Sequence, residues 1–253
     1  IVSVQKVTKV YNSKFSLFSE LIRKKNSKFK SFDSEFVPLS DVSFKVLKGH
    51  SVGLLGLNGA GKSTLLQILA KTLRQTSGDI EINGKVIALL ELGAGFNIDF
   101  TGRENLYLYA SLLGYKKKEM PELFDQVLTF SELGEKADLP LRTYSSGMVM
   151  RLAFSIAVHS VADLIIVDES LAVGDFLFQQ KCYRKISQLL DKGLSLILVS
   201  HSPNLILEFC DQALVLEKGK NIFYGRAKEG VEFFQKRCLE NKIKFENTGD
   251  KLP

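Results

Sequence analysis

The residues with the most specific chemistry in this chain of 253 are Gly56-Leu57-Asn58-Gly59-Ala60-Gly61-Lys62-Ser63-Thr64. They fit the pattern G-x-x-x-x-G-K-[ST], directly after an apolar run (Val52–Leu55) and at the start of a helix expected from Lys62. Gly56, Gly59 and Gly61 let backbone N–H groups, those of Asn58, Ala60 and Thr64 among them, curl around phosphate oxygens without Cβ clashes. The helix N-terminus adds partial positive charge, and Lys62 places an ammonium beside the β- and γ-phosphates. The Ser63 hydroxyl is suited to hold Mg²⁺. A chance glycine-rich turn is the alternative, and the strand-before, helix-after context argues against it.

Three further constellations share this logic. Leu164-Ile165-Ile166-Val167-Asp168-Glu169 reads as a strand ending in two carboxylates. Asp168 can reach the Mg²⁺ shell, and Glu169 can accept a proton from an attacking water. A plain strand end would look the same without the glycine-rich loop upstream. Tyr144-Ser145-Ser146-Gly147-Met148 precedes an apolar helix, Val149–Val158. The Ser145 hydroxyl, the Gly147 N–H and a helix N-terminus together favour an anion, although Ser-Ser-Gly alone is an ordinary helix cap. His201, in Leu198-Val199-Ser200-His201-Ser202, ends another apolar run, where a lone surface histidine is the competing reading.

The elements that must position these residues follow from periodicity. Val52–Leu55, Leu164–Val167 and Leu194–Val199 are strand-sized apolar runs, each followed by a helical stretch: from Lys62, from about Phe178 and from about Asn204. That βα rhythm predicts a parallel sheet covered by helices. Between Phe96 and His159 strand patterns nearly vanish, which predicts an inserted helical lobe. Ile1–Val10 reads as an edge strand, and Leu39–Leu47 as a strand entering a hairpin turn at Lys48-Gly49. Between them, Ser13–Val37 combines Phe15, Phe18, Phe29, Phe32 and Phe36 with Arg23, Lys24, Lys25, Lys28 and Lys30. Part of it, Phe15–Lys25, has the pattern of an amphipathic helix; a solvated basic loop and a segment lying on headgroups or a membrane partner both fit. Ala227–Glu240 reads as a helix, and Asn241–Pro253 as a polar tail without stable structure of its own. The expected organisation is one domain over 1–240, with 1–95 and 160–226 as an α/β core and 96–159 as the lobe, followed by a tail at 241–253.

Composition sets the class without choosing the function. At 45% apolar and 25% charged the chain is globular, and no run approaches the ~18 to 20 apolar residues that span a bilayer. It starts with Ile rather than Met and shows no charged-then-apolar leader, so it reads as cytosolic. Cys182, Cys210 and Cys238 are too scattered for a disulfide framework or a zinc site. The net charge of +6 suits a nucleotide, an acidic membrane surface, or neither.

Taken together and in this order, the motifs resemble those of ABC ATPases. Tyr144–Met148 is similar to the LSGGQ signature, with Ser146 in place of its first glycine and Met148 in place of its glutamine. Ser170-Leu171-Ala172-Val173-Gly174-Asp175 resembles the D-loop, His201 the switch histidine, and Tyr11 the aromatic that stacks on adenine. Glu91, in Leu89-Leu90-Glu91-Leu92-Gly93-Ala94-Gly95-Phe96, stands where most members carry a glutamine near Mg²⁺. That segment, with Phe100-Thr101-Gly102-Arg103-Glu104-Asn105 and Tyr144–Ser155, is similar to one branch, the ATPases that export O-antigen, teichoic acid or capsule. The resemblance runs from about Val2 to Glu240. It implies a P-loop NTPase (RecA-like) core with an antiparallel β edge and an inserted helical subdomain. It also implies ATP and Mg²⁺ as cofactors and a head-to-tail homodimer. Each site would combine Lys62, Ser63, Asp168, Glu169 and His201 of one subunit with Ser145 and Gly147 of the other. The implied partner is an integral membrane permease, the transported substrate a lipid-linked polysaccharide, and the location the cytoplasmic face of the bacterial inner or plasma membrane, with no nucleic-acid partner. An ABC importer subunit, a soluble ABC ATPase acting on DNA or ribosomes, and a P-loop phosphotransferase are the alternatives. The last would need an acceptor pocket in place of a signature helix.

Overall fold

The computed structural model describes residues 1–12, 35–90, 93, 95–168, 174–200 and 202–248. In chain order these form β1 (Val2–Asn12), β2 (Glu35–Val46), β3 (Ser51–Leu55), α1 (Lys62–Leu69), β4 (Ser77–Ile82), β5 (Val86–Leu89), α2 (Gly102–Leu112), α3 (Met120–Ser131) and α4 (Ser146–His159). There follow β6 (Leu164–Asp168), α5 (Phe176–Asp191), β7 (Ser195–Val199), α6 (Pro203–Phe209), β8 (Gln212–Glu217), β9 (Lys220–Arg226) and α7 (Ala227–Thr248).

The continuous aliphatic strands lie at the centre because both of their faces are covered. A six-stranded sheet has the order β5-β6-β7-β3-β8-β9, parallel from β5 through β8 and closed at one edge by antiparallel β9. Along β6, Leu164 and Ile166 join one core with α1 residues Leu65, Leu66 and Leu69 and with the inner face of a three-stranded antiparallel sheet. Ile165 and Val167 point the other way, into a core shared with Phe154, Phe178, Ile186, Ile206 and Val231 from α4 to α7. The two-residue period of a strand and the double burial of this sheet explain why no polar position interrupts the run.

A third core holds α2, α3 and α4 together through Leu106, Ala110, Leu123, Val127, Leu152 and Ile156. Helix α4 is buried from Leu152 to Val158 because it packs on two sides at once: Leu152 and Ile156 enter this helical core, while Phe154, Ala157 and Val158 enter that of the sheet. Thr101 starts α2 with a capping box, its side chain accepting from the Glu104 N–H while Glu104 accepts from the Thr101 N–H. Buried Asn105 organises the preceding loop. Its amide donates to the carbonyls of Asn97, Phe100 and Thr101 and its oxygen accepts from the Asn97 N–H.

Three expectations are corrected. β1 is not an edge strand: it lies between β2 and β4, its Val2, Val4 and Val7 turned into the core. Alternation reports one buried face and says nothing about how many neighbours a strand has. Lys48-Gly49 does not close a hairpin, since β2 pairs with β1 whereas β3 enters the parallel sheet between β7 and β8. The turn, with a Gly49 φ of 75°, instead carries the chain from one sheet to the other. The C-terminal helix does not stop at Glu240; α7 continues to Thr248, because Asn241–Thr248 contains no helix-breaking Gly or Pro. The proposed helix Phe15–Lys25 lies outside the described residues.

Candidate functional site

The loop Gly56–Gly61 leaves the C-terminal end of β3, the strand held between β7 and β8, so the sheet itself aims it. Gly61 has a φ of 100° and sits directly against the carbonyl of Pro38, a combination that a side chain would not permit. A Cβ on Gly56 would come within 2.6 Å of the Leu216 carbonyl. Helix α1 then begins with no side-chain cap on its first turn. Its amide groups are of the kind that bind anions at helix N-termini. Lys62 is buried and folds back along the loop, donating to the carbonyls of Gly56 at 2.8 Å and Leu57 at 3.2 Å.

These residues border a cavity of about 420 Å³ lined by Phe36, Pro38, Asn58–Thr64, Leu90 and Asp168. Asp168 arrives there because β6 ends beside β7, pairing in register with Val199. The Ser63 hydroxyl and the Asp168 carboxylate share this cavity, and also an adjoining one of about 590 Å³ that reaches Tyr109 of α2. An oxygen-donor pair of this kind suits Mg²⁺, which binds through one or two protein oxygens plus water and nucleotide phosphate. Among the described residues no cluster of three His, Cys, Asp or Glu side chains offers a metal cage independent of a nucleotide.

The serine-glycine segment occupies a different surface. Ser145 is the N-cap of α4, its Oγ accepting from the Met148 N–H at 3.3 Å. Tyr144 anchors the segment from below by donating its hydroxyl to the Lys136 carbonyl at 2.7 Å, and burial raises the phenol's pKa. Ser145, Ser146, Gly147 and Met148 line a second cavity of about 460 Å³ together with Met150, Arg151, Gly174 and Asp175. The two cavities have no lining residue in common.

The structure therefore brings Asn58, Gly59, Ala60, Gly61, Lys62, Ser63, Thr64 and Asp168 to one place, with Gly56 at the base of the loop, and sets Ser145 and Gly147 apart. Glu91, Glu169 and His201 lie outside the described residues, although the strands that precede them, β5, β6 and β7, end on the same side of the sheet. Tyr11 is not among the residues lining the phosphate cavity. It stacks on Phe36, with centroids 6.3 Å apart and planes 19° apart, and Phe36 lines the cavity. Phe36 belongs to β2 and not to the insert, in register opposite Tyr11; the first three positions of that strand are all exposed, so no alternation marks its start.

A P-loop on a parallel sheet, an acidic strand end and a capped serine-glycine turn on a separate face mark the chain as a nucleotide-binding cassette. The chain belongs to the ABC transporter family, whose profile matches residues 39–172. It is 42% identical over 201 residues to "ABC transporter protein AbcA" of Aeromonas salmonicida, covering 79% of this chain and 65% of that protein. Identity is 41% to "O-antigen export system ATP-binding protein RfbB" of Klebsiella pneumoniae, covering 79% and 82%. It is 42% to "Teichoic acids export ATP-binding protein TagH" of Lactococcus lactis, covering 81% of this chain and 44% of that protein. The fold is that of ABC ATPases: the dimeric, ADP- and Pi-bound cassette MJ0796 superposes with a TM-score of 0.72 at 20% identity, covering 90% of this chain and 99% of that one.

Proposed function

We propose that this chain is the ATP-binding and ATP-hydrolysing subunit of a polysaccharide exporter. It acts as a head-to-tail pair of copies, peripheral to the cytoplasmic face of the membrane, beneath a separate integral permease. The observation that carries this reading is the separation of the two cavities. The phosphate-binding residues Asn58–Thr64 and Asp168 lie in one, and Ser145–Met148 in another with no residue shared. A second copy turned end to end supplies to each phosphate cavity the serine-glycine turn that its own chain cannot.

In this arrangement Gly56–Gly61 and the first turn of α1 cradle the β- and γ-phosphates, and Lys62 exchanges its carbonyl partners for phosphate oxygens. Ser63, Asp168 and Glu91 would hold Mg²⁺, directly or through water, and the bound ion would offset negative charge on the phosphates. Glu169 takes a proton from a water as the water oxygen bonds to the γ-phosphorus in line. The bond to the β-phosphate oxygen breaks, giving ADP and inorganic phosphate. His201 contacts the γ-phosphate, and Ser145 and Gly147 of the second copy close over it. Because those last contacts exist only in the closed pair, ATP favours closure, and the helical block of α2–α4 passes the movement to the permease. No helix among the described residues is long and apolar enough to cross a membrane.

The cargo class, a lipid-linked polysaccharide, rests on the O-antigen and teichoic acid export proteins to which the chain is similar, and those relatives weigh against the importer alternative. The deciding test is Glu169→Gln. It is expected to keep ATP binding, lower turnover by about 10²- to 10⁴-fold and accumulate an ATP-dependent dimer in light scattering. Undiminished turnover, or an ATP-bound species that stays monomeric, would overturn the reading.

A further inference from the structure

Beside the serine-glycine cavity, three helices are tied together by a charged clasp centred on Arg151. This residue lies on α4, and its side chain is only 20% exposed. One guanidinium nitrogen donates to Asp175 Oδ2 at 2.6 Å and another to Glu132 Oε2 at 3.4 Å, while the group lies 4.6 Å over the ring of Phe178. Asp175 is itself the N-cap of α5, its other oxygen accepting from the Phe178 N–H at 2.9 Å. Glu132, at the C-cap of α3 with a φ of 57°, also accepts from Lys181 of α5 at 2.7 Å. Lys181 in turn donates to the Phe130 carbonyl at 2.9 Å, and Phe130 and Phe178 meet edge to face at 5.7 Å.

The clasp connects two segments that are far apart in sequence and adjacent in space. The turn Ser145–Met148 opens α4, and Gly174-Asp175 is where the chain enters α5 after the acidic strand end of β6. Both line the 460 Å³ cavity, and so does Arg151. A Cβ on Gly174, whose φ is 72°, would come within 3.2 Å of Arg151 Nε, so the guanidinium lies close against that backbone. A planar fork can satisfy two carboxylates and a ring face at once, which a lysine ammonium cannot do with the same geometry.

We infer that Arg151 is a positioning residue for assembly of the composite site. It locks the serine-glycine turn to Gly174-Asp175, so that the second copy's nucleotide meets one preformed surface instead of two independently moving segments. The inference rests on the head-to-tail reading above. Preorganisation of this kind acts on closure and leaves nucleotide binding by the P-loop, in the other cavity, unaltered.

The test uses the full chain in the Glu169→Gln background, measuring ATP affinity by calorimetry on dilute protein and the ATP-dependent dimerisation constant by analytical ultracentrifugation. Adding Arg151→Ala is expected to weaken dimerisation by about tenfold or more, while ATP affinity stays within about twofold. Arg151→Lys is expected to recover only part of the loss. Asp175→Asn is the second variant: asparagine keeps the helix cap but removes the charge that Arg151 grips, and an intermediate loss of dimerisation is expected. Parent-like dimerisation in both Arg151→Ala and Asp175→Asn would overturn the inference while leaving the head-to-tail reading intact, as would a parallel fall of ATP affinity and dimerisation in both. If the Glu169→Gln parent itself does not dimerise with ATP, the head-to-tail reading fails, and the inference with it.

Discussion

Gly219, in the turn between β8 and β9, donates its N–H to the carbonyl of Ala60 in the phosphate-binding loop at 3.1 Å. Its own carbonyl accepts from the Ser40 N–H at 2.8 Å, and its Cα faces the Pro38 carbonyl, to which an added Cβ would stand at 2.7 Å. The edge hairpin of the large sheet is thus the floor on which the loop rests. With a φ of 79°, Gly219 has both a backbone conformation and a contact distance that exclude a side chain. Gly219→Ala is expected to cost about 1–2 kcal/mol through the left-handed conformation alone. It is also expected to weaken ATP binding, because the Ala60 carbonyl loses its support. Thermal unfolding and calorimetric ATP titration check the two effects, and unchanged affinity would show that the turn supports only the fold.

Phe36 lines the phosphate cavity and is 63% exposed, whereas Tyr11 stacks behind it with Lys9 Nζ 4.9 Å from its ring centroid. Aromatic–base stacking is worth about 1–3 kcal/mol. Phe36→Ala is therefore expected to reduce ATP affinity by about fivefold or more, with Phe36→Tyr close to the parent. Tyr11→Ala is expected to have the smaller effect of the two. If Tyr11→Ala costs more, the base lies against Tyr11 as the family resemblance implies.

The helix cap made by Ser145 can be separated by substitution from the phosphate contact that the head-to-tail reading assigns to it. As the N-cap of α4 its loss in Ser145→Ala is expected to cost about 1 kcal/mol of stability. Ser145→Asp keeps a capping oxygen but places a carboxylate where the head-to-tail reading brings the second copy's γ-phosphate. That variant is expected to melt near the parent temperature and to hydrolyse ATP poorly. Full turnover in Ser145→Asp would leave Ser145 a cap and nothing more.

His159, at the end of α4, is held edge-on to Phe130 at 5.0 Å and donates its Nδ1–H to the Ser155 carbonyl at 2.8 Å. Burial pushes its pKa below the ordinary 6.5, with nearby Lys185 and Lys181 adding to the effect against the Ser155 hydrogen bond. Because the unfolded chain takes up this proton at higher pH than the folded one, stability is complete above 6.5 and is lost as pH falls toward the depressed folded value. His159→Gln is expected to flatten this loss in melting curves recorded below pH 6.5. An unchanged slope would assign the acid sensitivity to other groups.

Read along the chain alone, the residues already point to a phosphate-binding loop and to the local elements on either side of it. A glycine-rich loop between an aliphatic run and Lys62 has few folds open to it, and the doubly apolar Leu164–Val167 had to be a central strand because only a sheet covered on both faces tolerates such a run. Relationships set by contacts distant in the chain emerge only from packing. These include the place of β1 between two neighbours, Phe36 rather than Tyr11 at the cavity, and the Gly219 turn beneath Ala60. They also include Arg151 joining Glu132 to Asp175. Periodicity reports which face of an element is buried but not what it is buried against. Ion pairs and turn-to-loop hydrogen bonds between residues dozens of positions apart leave no repeating pattern in the sequence, so they emerge only once packing has fixed the neighbours.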